Sequence, residues 1–349
     1  MTHPRHVLLG AAVTNCLPVC DHYCGVEALM VKSLALQVQM AQEFGACVFD
    51  VTLDCEDGAP VGGERRQAEM VTALVNDVFA SQPAMGHQSA RRVAVRVHPV
   101  DHPAFAQDVA VVVAGAGQHL SHIMLPKIES VAEIDQAAKV IDLALQSSRR
   151  ATPLPIHVLV ESPLALLNVA GIAAHARVES ISFGLMDFVS AHGGAIPATA
   201  MRAGGDDGVA GDLDQFSHPL VLRAKLEIAS ACHAFGKTPS HCVVTEFKDS
   251  AAVKAAARRA SRQLGFTRMW SIHPDQIRPI LSAFAPDRTE VDLASQIVGQ
   301  AQAANWAPIS VDGQLHDRAS YRYYWQVLER AHHTGQIAPN DPAKRYFEH

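Results

Sequence analysis

The sequence predicts an α/β fold, a (β/α)8 TIM barrel followed by a C-terminal helical extension, and three observations carry that expectation. Eight short apolar runs alternate with helix-length segments over about the first 285 of 349 residues, each unit long enough for a right-handed crossover. Six of the eight runs end in ionisable residues: Glu56-Asp57, Arg96, Lys127, Glu161, Asp187 and His273. Barrels of this kind carry their chemistry at the carboxyl ends of the strands. No glycine-rich phosphate loop follows any run, and Gly115-Ala116-Gly117 comes after a helix, which tells against a doubly wound dinucleotide sheet.

In order, His6 to Val13 reads as strand one and Val26 to Phe44 as a helix striped by Met30, Leu34, Val38 and Ala41. Strand two, Cys47 to Leu53, runs into Asp54-Cys55-Glu56-Asp57-Gly58. A helix over Glu64 to Ala80 precedes strand three, Val93 to Val97. After a helix from Ala104 to Ala114, strand four (Ser121 to Leu125) ends in Pro126-Lys127. Strand five, Ile156 to Val160, ends in Glu161; Ser162 can cap the next helix and Pro163 can start it. Strand six, Ser180 to Phe183, leads to Asp187. A Gly- and Asp-rich loop, Gly204 to His218, precedes a helix over Leu220 to Phe235. Strand seven is read at His241 to Val244, a helix capped by Asp249 follows, and strand eight is Thr267 to Ile272. The expected division is a barrel over residues 1–285 and an extension or lid over 286–349 that packs on a neighbouring subunit.

The formal charge of −6, with no long basic run, points away from nucleic acid and anionic membranes. No apolar stretch reaches the length of a membrane span. Seven cysteines, an odd number in mostly apolar segments, fit reduced thiols and a cytoplasmic protein. Cys16, Cys20 and Cys24, with His22 among them, match no common zinc spacing.

Two carboxylates at neighbouring strand ends, Glu161 and Asp187, repel unless a proton or a cation joins them, and oxygen-only ligation suits Mg2+. Arg96 offers a planar fork for carboxylate or enolate oxygens that a lysine could not reproduce.

The stretches Phe49 to Gly58 (FDVTLDCEDG), Val95 to Val97, Ile123 to Glu129, Leu159 to Pro163, Phe183 to Asp187 and Ser271 to Gln276 occur in an order and spacing that resemble the citrate lyase β-subunit and malyl-CoA lyase family, within the HpcH/HpaI aldolases. The resemblance spans about residues 45–285, and Val311 to Asp317 is similar to the family's C-terminal lid. It implies a Mg2+-dependent carbon–carbon lyase acting on a 2-oxo or 2-hydroxy acid or its acyl-thioester. Glu161 and Asp187 would hold the metal, Arg96 the substrate oxygens. Glu56, Asp57 and Lys127 would line the site, Asp57 with a catalytic role. Asp317 would act as lid acid or base, in its own or a neighbouring subunit of a homo-oligomer, a trimer or hexamer. The chain departs from the family in lacking an Arg-Ser motif and a Pro-Gly pair around strand one, and in carrying His98 after Arg96-Val97 where the family has Asn. These departures shift the expected substrate toward a free acid or an unusual thioester. Thioester hydrolysis at the same site, and non-enzymatic binding of a small acid, are the alternatives.

Overall fold

A computed structural model describes residues 3–10, 16–81, 91–204, 213–337 and 340–347. Eight parallel strands close into a barrel in sequence order: β1 (Cys20–Cys24), β2 (Phe49–Asp54), β3 (Val93–Arg96), β4 (Leu120–Leu125), β5 (Ile156–Val160), β6 (Val178–Phe183), β7 (Thr238–His241) and β8 (Arg268–Ser271). Helix α1 (Pro4–Leu9) precedes them. Between the strands lie α2 (Glu27–Phe44), α3 (Glu64–Ala80), α4 (Phe105–Ala116), α5 (Val131–Leu145), α6 (Pro163–Leu167), α7 (Val169–Ala174), α8 (Leu185–Ser190), α9 (Pro219–Ala234) and α10 (Ser250–Gln263). After β8 come α11 (Ile277–Phe284), α12 (Arg288–Ala303), a hairpin of β9 (Ile309–Val311) and β10 (Gln314–His316), and α13 (Arg318–His333).

The alternation of side chains along each strand sorts them into two environments. Phe49, Val51 and Leu53 on β2, Ile123 and Leu125 on β4, and Ile156, Val158 and Val160 on β5 join the main core with the surrounding helices. The alternate positions face the barrel axis and build layers. Met124, Leu159 and Trp270 form a small apolar cluster with Tyr23 and Val243 against it. On its amino-terminal side lie buried polar residues, including Asp21, Asp50, His122, His157 and Arg268. On its carboxyl-terminal side lies the rim.

Strand one is not where the sequence reading put it. Residues 4–9 are helical, because Pro4 stands at the first turn and the His3 imidazole accepts from Arg5 N, while the rest of that run, 11–13, lies outside the described residues. The strand is instead the polar-looking Cys20–Cys24, whose Asp21 faces inward and whose His22 bonds Ser271 and Ser33 on the helix side. Strand seven begins three residues earlier than expected and contains Pro239. All seven cysteines are unpaired. Helix α1 packs on α13, in a second core where Leu8 joins Val291, Ile297, Tyr321, Trp325 and Leu328. No helix among the described residues is long and apolar enough to cross a membrane.

Candidate active site

The rim is organised by Asp54, the last residue of β2 and fully buried. Its carboxylate accepts from Glu56 N at 2.9 Å and Gly58 N at 2.7 Å, which folds the turn after β2 back over its own strand end. A side chain at Gly58 would strike Gly25, so that turn sits directly on the end of β1. Asp54 also accepts from Arg96 Nε at 2.8 Å and from the Tyr23 hydroxyl. Arg96, at the end of β3, is thereby locked in place. Its Nη1 lies 2.7 Å from Glu56 Oε2, its Nη2 donates to Asp57 Oδ2 at 2.7 Å, and its plane stands over the Tyr23 ring. Burial opposes the guanidinium's charge, but Asp54, Tyr23 and Glu56 together hold its pKa well above the ordinary arginine value. Tyr23 and Asp54 did not enter the sequence reading as site residues. Both sit at inward positions of their strands, and the alternation Asp50, Thr52, Asp54 was the available signal.

Lys127 joins this set through an uncommon backbone. Its φ is +52°, a left-handed conformation that a non-glycine residue adopts only where its surroundings impose it. In that conformation its N–H donates to Glu161 Oε2 at 2.9 Å and its ammonium to Glu56 Oε1 at 2.8 Å.

Glu161, one residue beyond β5, is 5 % exposed. Its approach to the start of α8 depends on Gly184. A Cβ there would fall 2.4 Å from both Cγ and Oε1 of Glu161, so the missing side chain is the space the carboxylate occupies. Burial, then the charges of Asp187 and Glu56, raises the Glu161 pKa to about 7. Asp187 lies in the first turn of α8, where its carbonyl accepts from Ala191 N, and its carboxylate makes no hydrogen bond or ion pair among the described residues. A cavity of about 390 Å³ opens over Lys127, Glu129, Glu161, Ser162 and Asp187.

The rim thus gathers Glu56, Asp57, Arg96, Lys127, Glu161 and Asp187, all expected from the sequence. Two it does not gather. His273 caps the short turn Pro274–Gln276, with its ring accepting from Asp275 N. Asp317 caps α13, its exposed carboxylate accepting from Ala319 N and Ser320 N, and among the described residues it has no hydrogen bond or ion pair to the rim.

The charge balance states what the rim can hold. Five carboxylates (Asp54, Glu56, Asp57, Glu161 and Asp187) face two cations, Arg96 and Lys127. Those two cations already face three carboxylates in Asp54, Glu56 and Asp57, so Glu161 and Asp187 add negative charge that no side chain balances. Glu161, its carboxyl pushed up by burial and by the charge of Asp187 beside it, forms with Asp187 an oxygen donor pair that fits a hard divalent ion.

Comparison with known proteins gives the chain its relatives. It is 28% identical to an L-malyl-CoA/beta-methylmalyl-CoA lyase of Cereibacter sphaeroides over 294 residues, 80% of this chain and 86% of that one. The crystal structure of a citrate lyase from Burkholderia xenovorans LB400 is 47% identical, covers 99% of both chains and superposes with a TM-score of 0.76. The CitE protein of Mycobacterium tuberculosis shares the fold, with a TM-score of 0.61 at 20% identity over 90% of this chain and 98% of that one. The family model for HpcH/HpaI aldolase/citrate lyase matches residues 30–274, and the chain belongs to that family.

Proposed function

We propose that the protein is a Mg2+-dependent carbon–carbon lyase of the aldol or retro-Claisen type, acting on a 2-oxo or 2-hydroxy acid or its acyl-thioester. The observation that carries this reading is the Glu161–Asp187 pair at the edge of a cavity, with Glu161 seated in the space that Gly184 leaves open and its carboxyl raised by Asp187 beside it. The lyase activities named for its relatives support it, as does the CitE structure, which was solved with magnesium, acetoacetate and coenzyme A.

When bound by Glu161 and Asp187, Mg2+ supplies Lewis acidity and a template for the substrate's carboxylate and adjacent oxygen. The chain's own residues do the rest. Arg96, fixed by Asp54 and Tyr23, presents preorganised N–H groups to an oxygen that becomes negative as the bond breaks. Asp57, whose side chain is 74 % exposed, holds the outer Nη2 of Arg96 and yields it to an incoming substrate oxygen. Lys127 keeps Glu56 on the Arg96 side and its backbone N–H orients Glu161. The proton is moved by a carboxylate, which we assign to Asp317 of the extension over residues 286–349, acting across an interface in a cytoplasmic homo-oligomer, a trimer or hexamer. Its separation from its own rim supports the intersubunit arrangement.

One difference bears on the thioester. With β1 at Cys20–Cys24, the residues that follow it are Gly25-Val26 rather than the Thr14 to Pro18 stretch. The tests are direct. Acyl-CoA thioesters and free 2-hydroxy acids are offered with and without Mg2+ to the wild type, Glu161→Ala and Asp187→Ala, and release of a 2-oxo acid or aldehyde is followed. Turnover that needs the metal and is lost in both variants supports the reading. Turnover that is equal in all three, or free thiol without a carbonyl product, rejects it.

A further inference from the structure

Beneath the apolar layer of Met124, Leu159 and Trp270, three strands turn metal-ligating side chains toward one another. Asp21 of β1, His122 of β4 and His157 of β5 each bring one ligand atom to within 4.8 Å of the other two, and all three residues are buried to 1 % exposure or less. None of them belongs to the rim.

The environment has the character of a built site. Among the described residues both ring nitrogens of His122 lack a hydrogen-bond partner, in a place water does not reach from outside, a costly arrangement unless something else binds there. Asp21 Oδ1 accepts from the Thr52 hydroxyl at 2.7 Å, while Oδ2 lies 3.1 Å from Arg268 Nη2 without accepting a hydrogen bond. His157 is held by hydroxyls on both sides, Ser180 at 2.5 Å and Ser182 at 2.8 Å. Each hydroxyl takes one ring nitrogen, so ligation displaces one of them, and the other stays on the second nitrogen to fix the tautomer and ring orientation.

Charge leaves room for a cation. Asp50 is engaged by Arg92 at 2.6 Å and by Arg268 at 2.7 Å, so both guanidiniums are committed chiefly to that carboxylate. Asp21 shares Arg268 with it. Glu179 adds a further carboxylate that senses the same two arginines.

We propose that Asp21, His122 and His157 form a second, internal metal site for a first-row transition ion of the Zn2+ or Co2+ class. Two imidazoles and one carboxylate from three strands select that class over the hard Mg2+ suited to the all-oxygen rim. Water completing the coordination shell supplies acceptors for Arg268 Nε and Nη1, which are also without partners. Because the site is enclosed, the ion enters as the chain folds and exchanges slowly afterwards.

The full-length chain is produced in medium supplemented with Co2+ or Zn2+ and treated with EDTA after folding to strip the open rim. Retained metal is measured by mass spectrometry and its ligands by X-ray absorption. About one ion per chain is expected, with imidazole scattering that the oxygen-only rim cannot supply. His122→Leu and, as a milder change, His122→Asn are expected to lower retention at least tenfold, while Glu161→Gln leaves it unchanged. Retention below a tenth of an ion in the wild type, oxygen-only scattering, or full retention in a folded His122→Leu chain overturns the proposal and leaves buried water as the occupant. The wild-type measurements decide the matter even if neither variant folds.

Discussion

Gly184→Ala is the sharpest perturbation of the proposed Mg2+ site, because it replaces neither a charge nor a ligand. The added Cβ would lie 2.4 Å from Cγ and Oε1 of Glu161 and 2.8 Å from Cδ, where ordinary contact begins at 3.4 Å. Glu161 must therefore retreat by about 1 Å relative to Asp187, or α8 must be pushed outward by as much. Mg2+ requires near-ideal geometry with oxygens at about 2.0–2.1 Å, so a displacement of that size is not absorbed by the ion. A misplacement of about 1 Å costs on the order of a hundredfold in a positioned site, and Mg2+ affinity and kcat/KM should both fall by about that factor. Overpacking itself costs about 1–3 kcal/mol of stability, so the fold should survive. Calorimetric Mg2+ titration beside a thermal melt separates the two effects. An alanine variant that binds Mg2+ within threefold of wild type would refute the placement of the metal between Glu161 and Asp187.

Further outcomes follow from the same geometry. Protons and Mg2+ compete for Glu161, so Mg2+ affinity should be level above about pH 8 and fall about tenfold per unit below 7, checked by titration across pH. Without metal the sign reverses for stability: the folded pKa of about 7 lies above the ordinary 4.5, so melting temperature should decline from pH 5 to pH 8, and Mg2+ should remove that decline. Arg96→Lys keeps the charge but not the fork, and should lower kcat by about a hundred- to a thousandfold with Mg2+ affinity little changed, measured by steady-state kinetics and calorimetry. Asp317→Asn and Glu161→Gln should each be inactive alone. Co-refolded in equal amounts, they should regain a clear fraction of wild-type activity if Asp317 serves a neighbouring rim, whereas an absence of rescue in mixed oligomers would place it within its own chain.

The rim was legible in the sequence because its signal is local. An apolar run that stops at a carboxylate, as Val158 to Glu161 does, identifies both a strand and the residue at its carboxyl end. What brings Glu161 up to Asp187 is Gly184, and a glycine gives no hint from sequence of which side chain fills its place. Tyr23 and Asp54 were missed for a related reason: they hold Arg96 rather than face solvent, and their strand positions read as part of the scaffold. Strand one is hard to read because apolarity is the usual mark of a strand, and this strand is polar. Cys20–Cys24 carries Asp21 and His22, one for the barrel interior and one for the hydroxyls of Ser33 and Ser271, and both are polar for reasons that only the closed barrel supplies. Strand seven was displaced by Pro239, whose missing N–H argues against a strand.

The same alternation that hid the interior also separates its two polar layers. Along β5 the inward positions are His157 and Leu159, with Glu161 next on that side; along β4 they are His122 and Met124; along β8, Arg268 and Trp270. Each strand therefore passes from a ligating or charged residue, through a large apolar one, toward the rim. At about 3.3 Å per residue, His157 and Glu161 stand about 13 Å apart along their strand. No single ion can be shared over that distance, and the cluster of Met124, Leu159 and Trp270 closes the path between them. The two layers consequently meet different demands. The rim carries exchangeable oxygen ligands and an open cavity, as substrate turnover requires. The interior carries imidazoles, no opening and a fixed charge network, which suits an ion that is kept and not turned over. An internal ion would act on the rim only through the barrel, by fixing the relative positions of β1, β4 and β5, and two of those strands carry Tyr23 and Glu161 at their carboxyl ends.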